Sequence, residues 1–123
     1  MESVILTTIK VMLGGPDLGE SFDTDLLVHI NSSVQTLLDL GVVPKSGFTS
    51  VSKTTKWGEF LNTDTVLDFV KSFVYLKTKM VFDPSPSSYV SDALNRQIAE
   101  LEFRIRLRSE PAPTVIEEVQ DEL

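Results

Sequence analysis

Few residues of this chain have the side chains that catalysis or metal binding needs, and their spacing does not assemble a reaction site. His29 is the single histidine of the 123 residues, and no serine or cysteine motif accompanies it. We therefore interpret it as a partly exposed structural residue. Asp23 and Asp25, like Glu100 and Glu102, are two positions apart, which points their carboxylates to different sides of a helix. The sequence predicts no enzymatic activity, no metal site and no cofactor.

Lys77 interrupts an otherwise apolar face, where it lies beside Val70 and Phe73 at helical spacing. A buried lysine is costly unless it is paired. We expect its aliphatic stem to lie along the core while the ammonium group reaches an acid or the edge of the domain. A catalytic role would need a second reactive group, and no neighbouring pattern supplies one.

Negative charge is concentrated at the C-terminal end of the chain. The net charge is −7, and residues 109–123 contribute −5 of it because they contain five acids and no base. The preceding 108 residues carry 13 acids and 11 bases and are nearly neutral. An acidic chain without a basic stripe is poorly suited to hold nucleic-acid phosphates. No apolar run approaches the roughly 20 residues of a membrane span, so we expect no membrane partner.

Four helices, the first of them short, are predicted from the spacing of the apolar residues. They cover residues 3–13, a stretch from Asp23 or Thr24 to a left-handed cap at Gly41, residues 64–81 with Thr63 as N-cap, and a stretch from a cap at Ser87 or Ser88 to Arg108. The third of these helices is apolar over about half its circumference, which is more than a surface helix needs. It should therefore lie at the centre of the fold.

The segments between these helices are less regular. Residues 42–56 are predicted to be a loop or a short hairpin, and the pattern does not decide between the two. Residues 57–61 predict a single helical turn that fills the core, and Pro84 and Pro86 end the third helix. The predicted fold class is mostly α: a small four-helix bundle-like domain of residues 1–108, followed by an extended acidic C-terminal tail of residues 109–123.

The fourth predicted helix has apolar side chains on two opposite sides. A stripe about 80° wide forms an ordinary core face and consists of Val90, Leu94, Ile98, Leu101 and Ile105. The second face lies roughly 180–220° from Leu94 and consists of Tyr89, Phe103 and Leu107, with Arg96 beside them. Aromatic and arginine side chains on an uncovered apolar face are typical of a protein interface. We predict that these four residues contact a neighbouring subunit or a partner; the alternative is that they are scattered surface residues.

The acidic tail also contains apolar residues. Val115, Ile116 and Val119 lie on either side of Glu117 and Glu118. Two interpretations stay open for this segment. It is a disordered tail, or it becomes ordered when it binds a partner.

A series of packing and turn patterns runs through most of the chain. It comprises residues 8–14, 22–26, 29–31, 37–42, 57, 60–61, 74–77, 81–84, 94–98 and 100–104. Together these segments resemble the small head–tail connector (adaptor) proteins of long-tailed bacteriophages. Two positions depart from that pattern: Phe103 stands where the family often has Trp, and Ser85 separates two prolines that are often adjacent. Neither departure puts the fold in doubt.

The resemblance implies a structural subunit of a phage neck. Such subunits assemble into a ring, commonly twelvefold, beneath the portal protein, and the ring extends the DNA channel and offers a surface to the next neck protein. Double-stranded DNA would pass through the lumen without specific binding. The protein would be assembled in the host bacterial cytoplasm and would end up in the virion neck.

The resemblance further implies that the C-terminal segment reaches the portal, so the portal-binding residues would be Val115, Ile116, Glu117, Glu118 and Val119. The residues alone leave one alternative open: a small helical regulator or accessory subunit that binds a protein without assembling into a ring.

Overall fold

Five α-helices and one 3-10 turn make up the regular structure of the computed structural model, which describes residues 1–14, 19–84 and 86–109. In chain order they are α1 (Ile5–Leu13), the 3-10 turn Glu20–Phe22, α2 (Asp23–Asp39), α3 (Trp57–Phe60), α4 (Leu67–Phe82) and α5 (Ser88–Ser109). Those residues contain no strand, and they form isolated bridges between Val4 and Lys56 and between Pro44 and Leu61. The predicted mostly α fold class is confirmed.

Helix α4 lies at the centre of the fold, as its broad apolar face predicts. It packs against α1, α2 and α5. Its buried residues are Val70, Phe73, Val74, Leu76 and Thr78. Because three helices share α4 as a packing partner, the core is a cluster built around this one helix.

The end of α2 follows the cap that the sequence predicts. Gly41 has a φ of 110°, a backbone conformation that favours glycine. Its N–H donates to the Leu38 carbonyl, and the next N–H, from Val42, donates to the Leu37 carbonyl, both at 3.1 Å. This pair of bonds is a Schellman motif, which satisfies carbonyls that the helix end would otherwise leave open.

The start of α4 differs from the prediction. The helix begins at Leu67 and not at Asp64, and Thr63 does not cap it. The Thr63 hydroxyl instead accepts a hydrogen bond from the Thr65 N–H at 3.3 Å. A short hydroxyl side chain can bond to nearby backbone in this way, and that bond competes with helix formation. The polar residues that suggested a cap therefore form a turn before the helix.

The first residues of the chain lie antiparallel to the segment that enters α3. The Trp57 N–H donates to the Ser3 carbonyl at 3.0 Å, and the Gly58 N–H donates to the Met1 carbonyl at 2.8 Å. A Cβ atom on residue 58 would lie 2.9 Å from the Met1 carbonyl oxygen, so this close approach needs glycine. The pairing places Trp57 and Phe60 in the core, both fully buried. The predicted helical plug is thereby confirmed.

Residues 42–56 form a loop, which decides between the two predicted alternatives. Asn31 of α2 fixes the loop at Val51: the Asn31 Nδ2 donates to the Val51 carbonyl at 3.0 Å, and the Val51 N–H donates to Asn31 Oδ1 at 2.8 Å. Phe48 packs against Phe60 with ring centroids 4.7 Å apart. This side-chain amide, the aromatic contact and single backbone bonds such as Lys45 N–H to the Phe60 carbonyl at 2.7 Å hold the loop, where a hairpin would use a ladder of backbone bonds.

An ion pair joins α1 to the start of α2. Lys10 Nζ lies 2.8 Å from Asp23 Oδ1, and both side chains are largely buried. The carboxylate also lies at the N-terminal end of α2, where the helix dipole favours negative charge. This pair links two elements whose relative placement is set by the core, so the spacing of the residues along the chain did not reveal it.

Candidate assembly surfaces

Helix α5 begins at a serine cap and returns along α4. The Val90 N–H donates to Ser87 Oγ at 3.3 Å, which makes Ser87, of the two serines considered, the N-cap. At the other end of the helix, the Arg108 guanidinium carbon lies 4.9 Å from the centroid of the Phe69 ring, near the start of α4. The two helices are therefore antiparallel neighbours.

The inward side of α5 is narrow. Ile98 and Ile105 are its buried residues, and Leu94 and Leu101 are partly buried against the core. Val90, which the sequence placed in the core stripe, is exposed together with Ser88 and Tyr89. A short row of residues thus attaches a helix of 22 residues to the rest of the fold.

The opposite side of α5 is uncovered. Tyr89, Phe103 and Leu107 are 77%, 61% and 54% exposed, and Arg96 is exposed as well. Spacings of seven, seven and four residues place all four on one side of the helix. We call this set the α5 outer face. The structure brings the four predicted interface residues together, and their contact with a partner stays a prediction.

A second outer face lies on α2 and was missed by the sequence analysis. Its members are spaced by three or four residues and are all exposed: Asp25, Val28, Ser32, Gln35 and Asp39. Val28 is 60% exposed, and no Lys or Arg occurs anywhere in α2. This α2 outer face lies opposite the buried residues of the helix. The signal present in the sequence is that every charge in the helix is negative, which the spacing of apolar residues does not reveal.

The family model described as phage connector protein matches residues 5–112. The chain belongs to this phage connector family. The match runs from the first residue of α1 to beyond the end of α5, so the family pattern includes all five helices. No curated protein and no solved structure matches the chain.

Family membership confirms the resemblance drawn from the sequence and fixes the broad role of the protein. A phage connector is a structural component of the virion neck. It associates with the portal and tail proteins of the phage. No helix in the described part of this connector is long and apolar enough to cross a membrane.

A groove of about 440 Å³ between α2, α4 and α5 contains the two residues that first suggested chemistry. His29 and Lys77 both line it, and both are partly buried. Lys77 Nζ lies 6.0 Å from the centroid of the Phe73 ring. No carboxylate in the three described ranges forms an ion pair with it, so the predicted contact with an acid is not present there. Within those same ranges, no three His, Cys, Asp or Glu residues are grouped as a metal site would need.

The predicted portal-binding residues lie outside the described residues of this connector. They are Val115, Ile116, Glu117, Glu118 and Val119. Their contact with the portal stays a prediction, and so does the division of the chain into a domain of residues 1–108 and a tail of residues 109–123.

Proposed function

We propose that this connector forms a ring between the portal and the tail of the phage and that the ring extends the DNA channel. The observation that carries the proposal is the α5 outer face in a chain whose family model covers residues 5–112. The proposed role is structural: each subunit supplies shape and contact surfaces and performs no chemical step. The family resemblance implies a ring of twelve subunits.

The α5 outer face costs free energy as long as it stays in water. Three large apolar side chains on one side of a helix stay in water in the isolated subunit, and burying each of them fully is worth about 1.5–3 kcal/mol. Tyr89 and Phe103 are rigid aromatic residues that lose little side-chain entropy on contact, and Arg96 adds a charged group of the kind that interfaces favour. A monomer gains nothing from this face, whereas a subunit in an assembly does.

The charge of the chain suits a DNA channel. Residues 1–108 are nearly neutral and the whole chain is acidic at −7. A lumen without strong positive potential does not hold phosphates, so DNA slides past it. The proposal therefore includes double-stranded DNA as a passing occupant of the ring and not as a specifically bound ligand.

The proposal also includes binding of the C-terminal tail to the portal protein. Residues 114–119 are rich in β-branched side chains, which suit an added strand at the edge of a partner sheet. Glu117 and Glu118 would meet basic groups of the portal. Fixing a flexible segment costs about 1–2 kcal/mol per residue in backbone entropy, so the apolar residues Val115, Ile116 and Val119 are needed as anchors.

The α5 outer face is tested by changing Phe103→Asp in the full chain. The variant should stay folded by circular dichroism and should fail to join complexes with the portal protein of the same phage. Val43→Asp is the matched control, because Val43 is 71% exposed but lies in the loop after α2. Normal assembly of Phe103→Asp would contradict the proposed interface. Unfolding of the variant would place Phe103 in the core and contradict it equally.

The tail is tested by deleting residues 110–123 in the phage genome. Purified particles should lose the connector, and the yield of infectious phage should fall. A truncated connector that still joins the portal and supports full infectivity would remove the tail from the mechanism. Absence of the intact connector from purified virions would favour the alternative of a small helical regulator or accessory subunit.

A further inference from the structure

A closed ring needs two different surfaces on every subunit, and the proposed function names one of them. Contacts that build a ring are head-to-tail, so each subunit presents a donor face to one neighbour and an acceptor face to the other. A contact of the α5 outer face with its own copy would close after two subunits. The acceptor must therefore lie elsewhere on the chain.

The arrangement of the helices separates two candidate faces. Helix α4 packs against both α2 and α5. Each outer face lies opposite the buried residues of its own helix, so the two faces are separate surfaces on two different helices. Two faces arranged in this way can be occupied by two neighbours at once, which a ring requires.

The two faces also match in composition. The α5 outer face consists of large apolar residues with Arg96, and Arg96 forms no ion pair within the described ranges. The α2 outer face has an exposed apolar residue, Val28, between the carboxylates of Asp25 and Asp39. Neither carboxylate has a basic partner among the described residues. On the α5 side, Asp92 and Glu100 lie four residues before and after Arg96, and Glu100 is paired with Arg104. The complementary charge is therefore that of Arg96, which suits a negative surface with an apolar centre.

We propose that the α5 outer face of one copy packs along the α2 outer face of the next copy. This inference rests on the proposed function and names the acceptor surface of the ring. The helices contribute lengths of roughly 25 Å and 33 Å at 1.5 Å per residue, which allows contact over several turns. Phe103 and Leu107 exclude water from Val28, while the guanidinium group of Arg96 lies among carboxylates of the α2 outer face. Every subunit then uses both faces.

The absence of cysteine from the chain permits a direct test by cross-linking. Ala99→Cys places a thiol between Arg96 and Phe103 without removing either residue. Gln35→Cys and Val28→Cys each place a thiol on the α2 outer face, at positions about two helical turns apart. Equal mixtures of Ala99→Cys with each α2 variant are assembled on the portal protein of the same phage and treated with a short bismaleimide. We expect a covalent dimer from at least one mixture and none from any variant alone.

The control is a mixture of Ala99→Cys with Ser46→Cys, an exposed position in the loop after α2, which should give no covalent dimer. If complexes form and neither α2 mixture gives a dimer, the pairing is wrong while the ring proposal survives. A dimer from Ala99→Cys alone would show a contact between two α5 helices and would overturn the inference. If the wild-type chain fails to join the portal at all, the proposed function falls and the inference falls with it.

Discussion

Helices α4 and α5 lie side by side, yet they differ in what surrounds them. Five of the 16 residues of α4 are buried, against two of the 22 residues of α5. Three helices of the same chain cover α4, whereas α5 has α4 as its main neighbour. Both sequences carry more apolar residues than a surface helix needs. An excess of apolar residues therefore predicts a contact, and only the fold shows whether the same chain provides it.

The largest loss of stability is expected from a substitution at the centre of α4. Phe73→Ala should lower the free energy of unfolding by about 3–5 kcal/mol, because a fully buried aromatic ring leaves a cavity that the surrounding helices cannot fill. Urea unfolding followed by circular dichroism measures the change. An unaltered transition would show that α4 is not the packing centre of the domain.

A smaller effect is expected where α5 docks on α4. Ile105 is fully buried, and Ile105→Ala should cost about 2–4 kcal/mol. Few residues attach α5 to the rest of the fold. In the Ile105→Ala variant, the amides of α5 should therefore exchange hydrogen faster than in the wild type, while the exchange rates of the α2 amides should change little. Leu107→Ala, two residues further along and half exposed, is the matched control and should leave exchange unaltered. Equal acceleration of exchange in α2 and α5 would show that α5 does not open separately.

The cap of α5 should contribute less again. Ser87→Ala removes the hydroxyl that accepts the Val90 N–H, and loss of an N-cap typically costs about 1 kcal/mol. Hydrogen exchange should increase in the first turn of α5. Ser88→Ala changes the neighbouring residue, which already belongs to the helix, and should have little effect. If both variants lose the same stability, Ser87 is not the N-cap of α5.

The smallest effect on stability is expected at the α5 outer face. Phe103→Ala should change the free energy of unfolding by no more than about 0.5 kcal/mol, as is usual for an exposed position. Phe73→Ala in α4 is the matched substitution of a buried phenylalanine and should cost several times more. A loss above 2 kcal/mol at Phe103 would mean that the outer face already has a partner within the chain.

The sequence predicted the helices well because their apolar spacing is a local property. Gly41 was also predictable, since the need for a positive φ at a helix end singles out glycine. The start of α4 was wrong by three residues because Thr63 can serve a turn as readily as a helix. The loop held by Asn31 and the pair between Lys10 and Asp23 depend on which elements become neighbours in space, and spacing along the chain does not contain that information.

Of the two candidate surfaces, one was predictable from the sequence and the other was not. The α5 outer face was predictable because Tyr89, Phe103 and Leu107 repeat at helical spacing away from the core stripe. The α2 outer face was missed because it contains one apolar residue, Val28, and its significance comes from charge and from its position relative to α5. The negative charge is present in the sequence, whereas the position of α2 relative to α5 needed the fold, in which both helices pack against α4.

The central position of α4 also sets an order of events during synthesis. Ribosomes synthesise a chain from its N-terminus at about 5–20 residues per second. Helices α1 and α2 therefore emerge a few seconds before Phe82 completes the helix that they pack against. Until then Ile9 and Leu26, which are fully buried in the folded protein, lack α4 as a neighbour. The nascent connector therefore carries an open apolar surface until α4 has emerged.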